Sequence, residues 1–140
     1  MAQSAPLSPT TILIVEHEGL IRLELRSRLV EWGHTVLEAS DADDAIAVLD
    51  THPEVEILVT DVKMPGSMDG IRLAHHVRGR WPPVAIIVSS GLGEAELGDL
   101  PKGSSLMPKP YGPDILAGVL AQFANRDRAN RTARDSGSAR

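Results

Sequence analysis

The polar residues that directly follow short apolar runs in this chain are Glu16, His17 and Glu18, then Asp61, then Ser89 or Ser90, and finally Lys109. A central carboxylate, acids able to hold a divalent cation, a hydroxyl and a lysine are the groups needed to place a phosphoryl group on an oxygen nucleophile and neutralise it. In that chemistry a metal bridges Asp61 and one phosphoryl oxygen, Lys109 takes a second oxygen, and the serine hydroxyl takes a third. A lone acid after a strand is more often a helix cap, so Asp61 by itself says little. The convergence of the set carries the inference.

These residues need a frame that brings strand ends together. Thr11 to Val15 is a β-branched apolar run, followed by Gly19 to Trp32, where Leu20, Leu23, Leu25, Leu29 and Trp32 recur at roughly helical spacing. Gly33 reads as a helix-ending glycine, and His34 to Glu38 as an edge-like second strand. Ser40 is the expected N-cap of a second helix whose first turn carries Asp41, Asp43 and Asp44, and which ends before His52. Glu56 to Thr60 is the third strand and leads into Asp61; a loop, KMPGSMDG, then precedes a helix from about Asp69 to Arg80. Val84 to Val88 is the most hydrophobic strand and reads as central. Leu92 to Gly103 holds three glycines and one proline, so a fourth helix there should be short or frayed and the region mobile. Ser104 to Met107 gives a fifth strand, and Gly112-Pro113-Asp114 opens a last helix lined by Ile115, Leu116, Val119, Leu120 and Phe123. Alternating strands and helices select an α/β fold with a parallel sheet covered on both faces, and ligands in such sheets bind outside the C-terminal strand ends.

Composition narrows the function classes. The 140 residues are 42% hydrophobic and 24% charged, which suits one folded unit and leaves no room for a second catalytic or DNA-binding domain. A net charge of −5 is the wrong sign for a protein held to nucleic acid by charge. The absence of cysteine removes disulfides, thiolate metal sites and cysteine nucleophiles, and fits a reducing, cytoplasmic setting. The N-terminus lacks a signal-peptide pattern, and the longest strongly apolar run, Val84 to Val88, is too short to span a bilayer. Residues 1–10 and the arginine-rich 125–140 read as solvated, disordered tails around a domain at 11–124. Adjacent His75 and His76 point to different helix faces and are not a zinc pair. GLGEAELG resembles part of a dinucleotide fingerprint, but Glu96 stands at the third glycine and the preceding strand is the fourth.

ILIVEHE, DVKMPGSMDG, IIVSSG and PKPY, in this order and spacing, resemble the receiver domain of bacterial two-component response regulators, over about residues 11 to 124. The resemblance implies a flavodoxin-like doubly wound sheet of five parallel strands in the order 2-1-3-4-5. It places the phosphoacceptor at Asp61, the conserved lysine at Lys109 with a cis bond to Pro110, and the switch hydroxyl at Ser90, with Ser89 as the fallback. Met64, Pro65 and Gly66 match the loop that shapes the pocket, and Lys63 would lend a backbone carbonyl to Mg2+. The implied partners are a sensor histidine kinase or a phosphotransfer protein, together with an unnamed downstream protein. Neither nucleic acid nor membrane is expected as a partner. A homodimer is allowed through the face made by the fourth helix, fifth strand and last helix.

This sequence departs from that pattern twice. The family's paired acids after the first strand fall on Glu16 and His17, so one carboxylate ligand is missing. Mg2+ prefers hard oxygen ligands and imidazole suits zinc, nickel or copper, so Mg2+ affinity should fall unless Glu16 or Glu18 compensates. A protonated His17 would repel a cation and partly replace it beside the phosphoryl group. Three residues before Lys109 the family often has an aromatic that rotates on activation; here it is Leu106, so output should pass through the glycine-bearing loop after the fourth strand, with Tyr111 as an exposed contact aromatic. Aspartyl phosphatases with a DxD motif are a poor match because Lys63 stands at the second acid. The expected function is a stand-alone receiver, not an enzyme in its own right, that signals by phosphorylation-dependent binding. Its alternatives are a phosphorylation-independent pseudo-receiver acting as a protein-interaction module and, more remotely, a transition-metal sensor using Glu16, His17 and Asp61.

Overall fold

The computed structural model describes residues 9–123. Five strands, β1 (Thr11–Val15), β2 (Thr35–Ala39), β3 (Ile57–Asp61), β4 (Ala85–Ser90) and β5 (Ser105–Pro108), alternate with α1 (Gly19–Glu31), α2 (Ala42–Thr51), α3 (Gly70–Arg80) and α4 (113–123). All strand pairs are parallel, in the order β2-β1-β3-β4-β5. The chain runs outward from β1 to β2, then returns to the other side of β1 for β3, so the order reverses between β1 and β3. Ligand crevices of doubly wound sheets open at that point.

Side-chain alternation along each strand splits the core into two layers. Leu13, Leu58, Ile86 and Val88 face α2 and α3, where Leu49, Leu73 and Val77 meet them. Ile12, Ile14, Val59, Ile87 and Met107 face the opposite way, against Leu29 of α1 and Leu116, Leu120 and Phe123 of α4. Burial on both faces explains why β1 and β3 read as near-continuous apolar runs, whereas β2, at the edge, keeps an exposed Thr35 and Glu38. The turn from α1 to β2 is set by Gly33 at φ +96, with Gly33 N donating to Val30 O and His34 N to Leu29 O, the double bond pattern that closes a helix on a left-handed glycine.

Several expectations need correction. The middle strand is β3, not β4; β4 stands one in from the β5 edge. β3 and β4 run on to Asp61 and Ser90, beyond the expected Thr60 and Val88, because the ladder continues by pairing Asp61 with Ser89 and Ser90 with Pro108. The α2 cap is Asp41 rather than Ser40: the Asp41 carboxylate accepts from Asp44 N at 2.9 Å, and the Asp44 carboxylate accepts from Ser40 N at 3.1 Å. Between β4 and β5, by contrast, the expected short helix is found as one 3-10 turn, Leu97–Asp99. On α1 only Leu29 is fully buried, while Leu20 and Leu23 are 83% and 54% exposed. Most of the two tails expected at 1–10 and 125–140 lies outside the described residues. Thr10, however, is tied to β2, its carbonyl accepting from Thr35 N and its N–H donating to His34 Nδ1. Among the described residues no helix is long and apolar enough to cross a membrane.

Candidate functional site

Asp61 closes β3 at the C-terminal rim, next to the crevice, and is 5% exposed. Lys109 Nζ donates to its Oδ1 at 2.7 Å. The end of β4 holds both partners in place through its backbone. Ser89 O accepts from Val62 N, the residue after Asp61, and Ser90 O accepts from Lys109 N. The loop after Asp61 folds back so that Gly70 N donates to Val62 O at 2.8 Å. A Cβ at Gly70 would stand 1.9 Å from the Asp61 carbonyl oxygen, so only glycine admits this approach. The Lys109–Pro110 bond is cis.

On the β1 side of the crevice Glu16 is buried and accepts from Glu18 N at 3.0 Å. Its backbone is pinned by its N–H to Ala39 O and by Arg22 donating to its carbonyl at 2.6 Å. His17, exposed, places Nδ1 at 3.5 Å from the Glu16 carboxylate. Glu16, His17 and Glu18 can each bring one ligand atom within 4.8 Å of the others. Asp61 is not in that group; the carboxylates of Glu16 and Glu18 are hard oxygen donors of the kind magnesium prefers, and the imidazole of His17 is not.

Both serines are buried, Ser89 directly across from Asp61 in the ladder and Ser90 one step nearer the rim. The Ser90 hydroxyl donates to Gly91 O at 3.0 Å. Leu106, at the position where the family often has an aromatic, packs half-buried against the α2/α3 side of the core. Tyr111 is half-buried rather than exposed. It borders a cavity of about 580 Å³ between α1 and the segment before α4, together with Glu16, Ile21, Leu25, Lys109 and Leu116. Burial pushes its hydroxyl pKa up, and the carboxylates of Glu16 and Asp61 push it further in the same direction.

One residue beside the end of β4 has no counterpart among the expectations. Glu94 accepts from Gly91 N at 2.8 Å through Oε1 and lies 3.7 Å from Lys63 Nζ through Oε2. Its signal in the sequence was an acid three positions after a glycine, the spacing of a side-chain cap on a turn.

A family model described as the response regulator receiver domain matches residues 12–99. The chain is 30% identical over 112 residues to a chemotaxis protein CheY homologue of Campylobacter jejuni, covering 75% of this chain and 85% of the relative. It is 34% identical over 123 residues to the sensor histidine kinase RcsC of Salmonella typhimurium, covering 86% of this chain and 13% of the kinase. It spans less than a quarter of the length of several curated relatives. A solved response regulator receiver protein from Sinorhizobium medicae superposes with a TM-score of 0.75 at 26% identity, covering 84% of this chain and 96% of the other. The strand order and the motifs at the strand ends agree with these likenesses, and the chain belongs to the response regulator receiver domain family of bacterial two-component phosphorelay signalling.

Proposed function

We propose that Asp61 accepts a phosphoryl group from a phosphohistidine on a sensor histidine kinase or a phosphotransfer protein. The receiver, at 11–124, then signals through a changed affinity for a downstream protein in the cytoplasm. The observation that carries this reading is the nearly buried Asp61 carboxylate, paired at 2.7 Å with Lys109 at the strand-order switch. An Asp61 carboxylate oxygen attacks phosphorus; the P–O bond forms as the P–N bond to the imidazole breaks, and the imidazole leaves with the electron pair and takes up a proton. Charge on the transferring oxygens falls to the Lys109 ammonium and to the hydroxyl of Ser90, which must turn from Gly91 O to reach it. Water later attacks the acyl phosphate and restores Asp61, so the chain's own chemistry is confined to itself. Glu16, Asp61 and the Lys63 carbonyl would hold Mg2+, whose contribution is charge neutralisation at the phosphoryl oxygens. The surface made by residues 91–103, β5 and α4 is the output face, for a downstream protein or a second copy of the chain.

His17 at the second acid position favours one rival, a pseudo-receiver that binds its partner without phosphorylation. Incubating the protein with acetyl phosphate, with and without Mg2+, separates the two by intact mass. A magnesium-dependent gain of one phosphoryl group that is lost in Asp61→Ala is the expected result. A folded wild type that gains none, from acetyl phosphate or from a phosphorylated kinase, establishes the rival.

A further inference from the structure

We propose that the carboxylate of Glu94 is a built-in competitor of the phosphoryl group, holding the Gly91 amide that a group on Asp61 would bind and leaving it when Asp61 is phosphorylated. The inference rests on Asp61 as the acceptor and deepens that reading with a residue that sets how tightly the phosphoryl group is held.

Gly91 follows Ser90 directly at the end of β4, the strand whose backbone fixes both Val62 and Lys109. Its amide therefore emerges on the same rim as the Asp61 carboxylate and the Lys109 ammonium. In this structure each group suited to a phosphoryl oxygen already has a partner. Lys109 donates to Asp61, the Ser90 hydroxyl donates to Gly91 O, and the Gly91 amide donates to Glu94 Oε1 at 2.8 Å. The second Glu94 oxygen lies 3.7 Å from the ammonium of Lys63, two residues beyond Asp61. One carboxylate thus hydrogen-bonds one of the two loops that flank the acceptor and lies in ion-pair range of the exposed Lys63 on the other. A turn cap would account for the Gly91 contact alone, since Glu94 N also donates to Gly91 O; it would not account for Lys63.

The exchange follows from charge. A phosphoryl group carries more negative charge than a carboxylate and more acceptor oxygens, and charge-assisted hydrogen bonds are the stronger kind. Tethered to Asp61, it outcompetes Glu94 for the Gly91 amide. Release of Glu94 unpins the segment that carries Leu92 and Leu97, which are 103% and 58% exposed.

Beryllofluoride, a tetrahedral stand-in for the phosphoryl group, tests this on the full chain in magnesium buffer, with backbone amides followed by NMR. The variants are Glu94→Gln and Glu96→Gln; the latter removes the same charge from the same segment, and Glu96 N is held by Asp99 rather than at the rim. Glu94→Gln should bind the mimic about tenfold more tightly than wild type, the scale of one charge-assisted bond, and should shift the Gly91 amide before any mimic is added. Glu96→Gln should stay within about twofold, because an exposed charge at a distance is screened. Equal affinity in wild type and Glu94→Gln, or equal gains in both variants, would overturn the proposal while leaving Asp61 as acceptor intact. A Glu94→Gln protein that binds where wild type does not would support it. If neither binds, the phosphoryl reading falls, and this inference with it.

Discussion

Lys109 is the ion-pair partner of a carboxylate that has almost no access to water. Asp61 is 5% exposed, and its ion-pair partner is the Lys109 ammonium, itself about a third exposed. Removing one member of such a pair leaves an uncompensated charge, and that cost exceeds what the intact pair contributes. Lys109→Met should therefore lower stability by about 1–2 kcal/mol, the partial exposure of the lysine reducing the fully buried cost. Asp61→Asn added to Lys109→Met should recover most of it, because the stranded charge is gone. Urea midpoints of the two singles and the double check this, and a double variant less stable than Lys109→Met would show that the lysine acts through packing instead. The pairing itself was legible in the sequence, since an aspartate and a lysine after parallel strands of one sheet must converge at the rim. Glu94 was not legible in the same way. Its partner is a backbone amide, which no residue type announces, and its second contact depends on how two loops lean together.

At the scale of elements, apolar runs located every strand, but their ends followed non-local pairing. Asp61, Ser89 and Ser90 are poor strand formers that become strand only because neighbouring strands supply ladder partners. The same holds for α1, whose leucines read as one apolar stripe. On a helix of about 3.6 residues per turn, Leu25, Leu29 and Trp32 share the side that packs on the sheet, and Leu20 and Leu23 fall roughly opposite. The junction between α1 and β2 also holds a titratable switch. His34 is 7% exposed, donates its N–H to Leu29 O, and accepts from Thr10 N through Nδ1, which requires the neutral ring. Burial lowers its pKa below 6.5, and the Glu56 carboxylate offsets this only in part. As pH falls through 6.5 the unfolded chain takes the proton first. The stability contributed by neutral His34 is thus complete above that value and is lost as pH falls toward and through the lowered folded value. Urea midpoints should drop between about pH 7.5 and about pH 5.5 by more in wild type than in His34→Gln. Parallel pH curves for the two proteins would remove His34 as the cause.

For the whole molecule, the parallel sheet places the acceptor, the lysine and the acids on one rim, so whatever binds there links the C-terminal ends of β1, β3, β4 and β5 at once. The alternation of strand and helix gave the layered class directly, while the order of the strands came from likeness to the receiver family, because register between distant segments leaves no local trace in composition. The segment between β4 and β5 illustrates the limit: glycines at 93, 98 and 103 make a regular helix unfavourable, yet the turn found there is shaped by Gly91, Glu94, Glu96 and Asp99 contacts. A ligand that bridges strand ends in the folded state and has no site in the unfolded chain must raise global stability by mass action. At about one hundred times its dissociation constant, beryllofluoride with Mg2+ should stabilise the fold by about 2.7 kcal/mol. For a domain of this length that corresponds to a rise in melting temperature of roughly 9–11 °C. Asp61→Ala, which lacks the oxygen that beryllium must bond, should show no rise under the same conditions. A rise of equal size in both proteins would mean that the mimic binds elsewhere, whereas a rise confined to wild type ties the stability of the whole sheet to occupancy of Asp61.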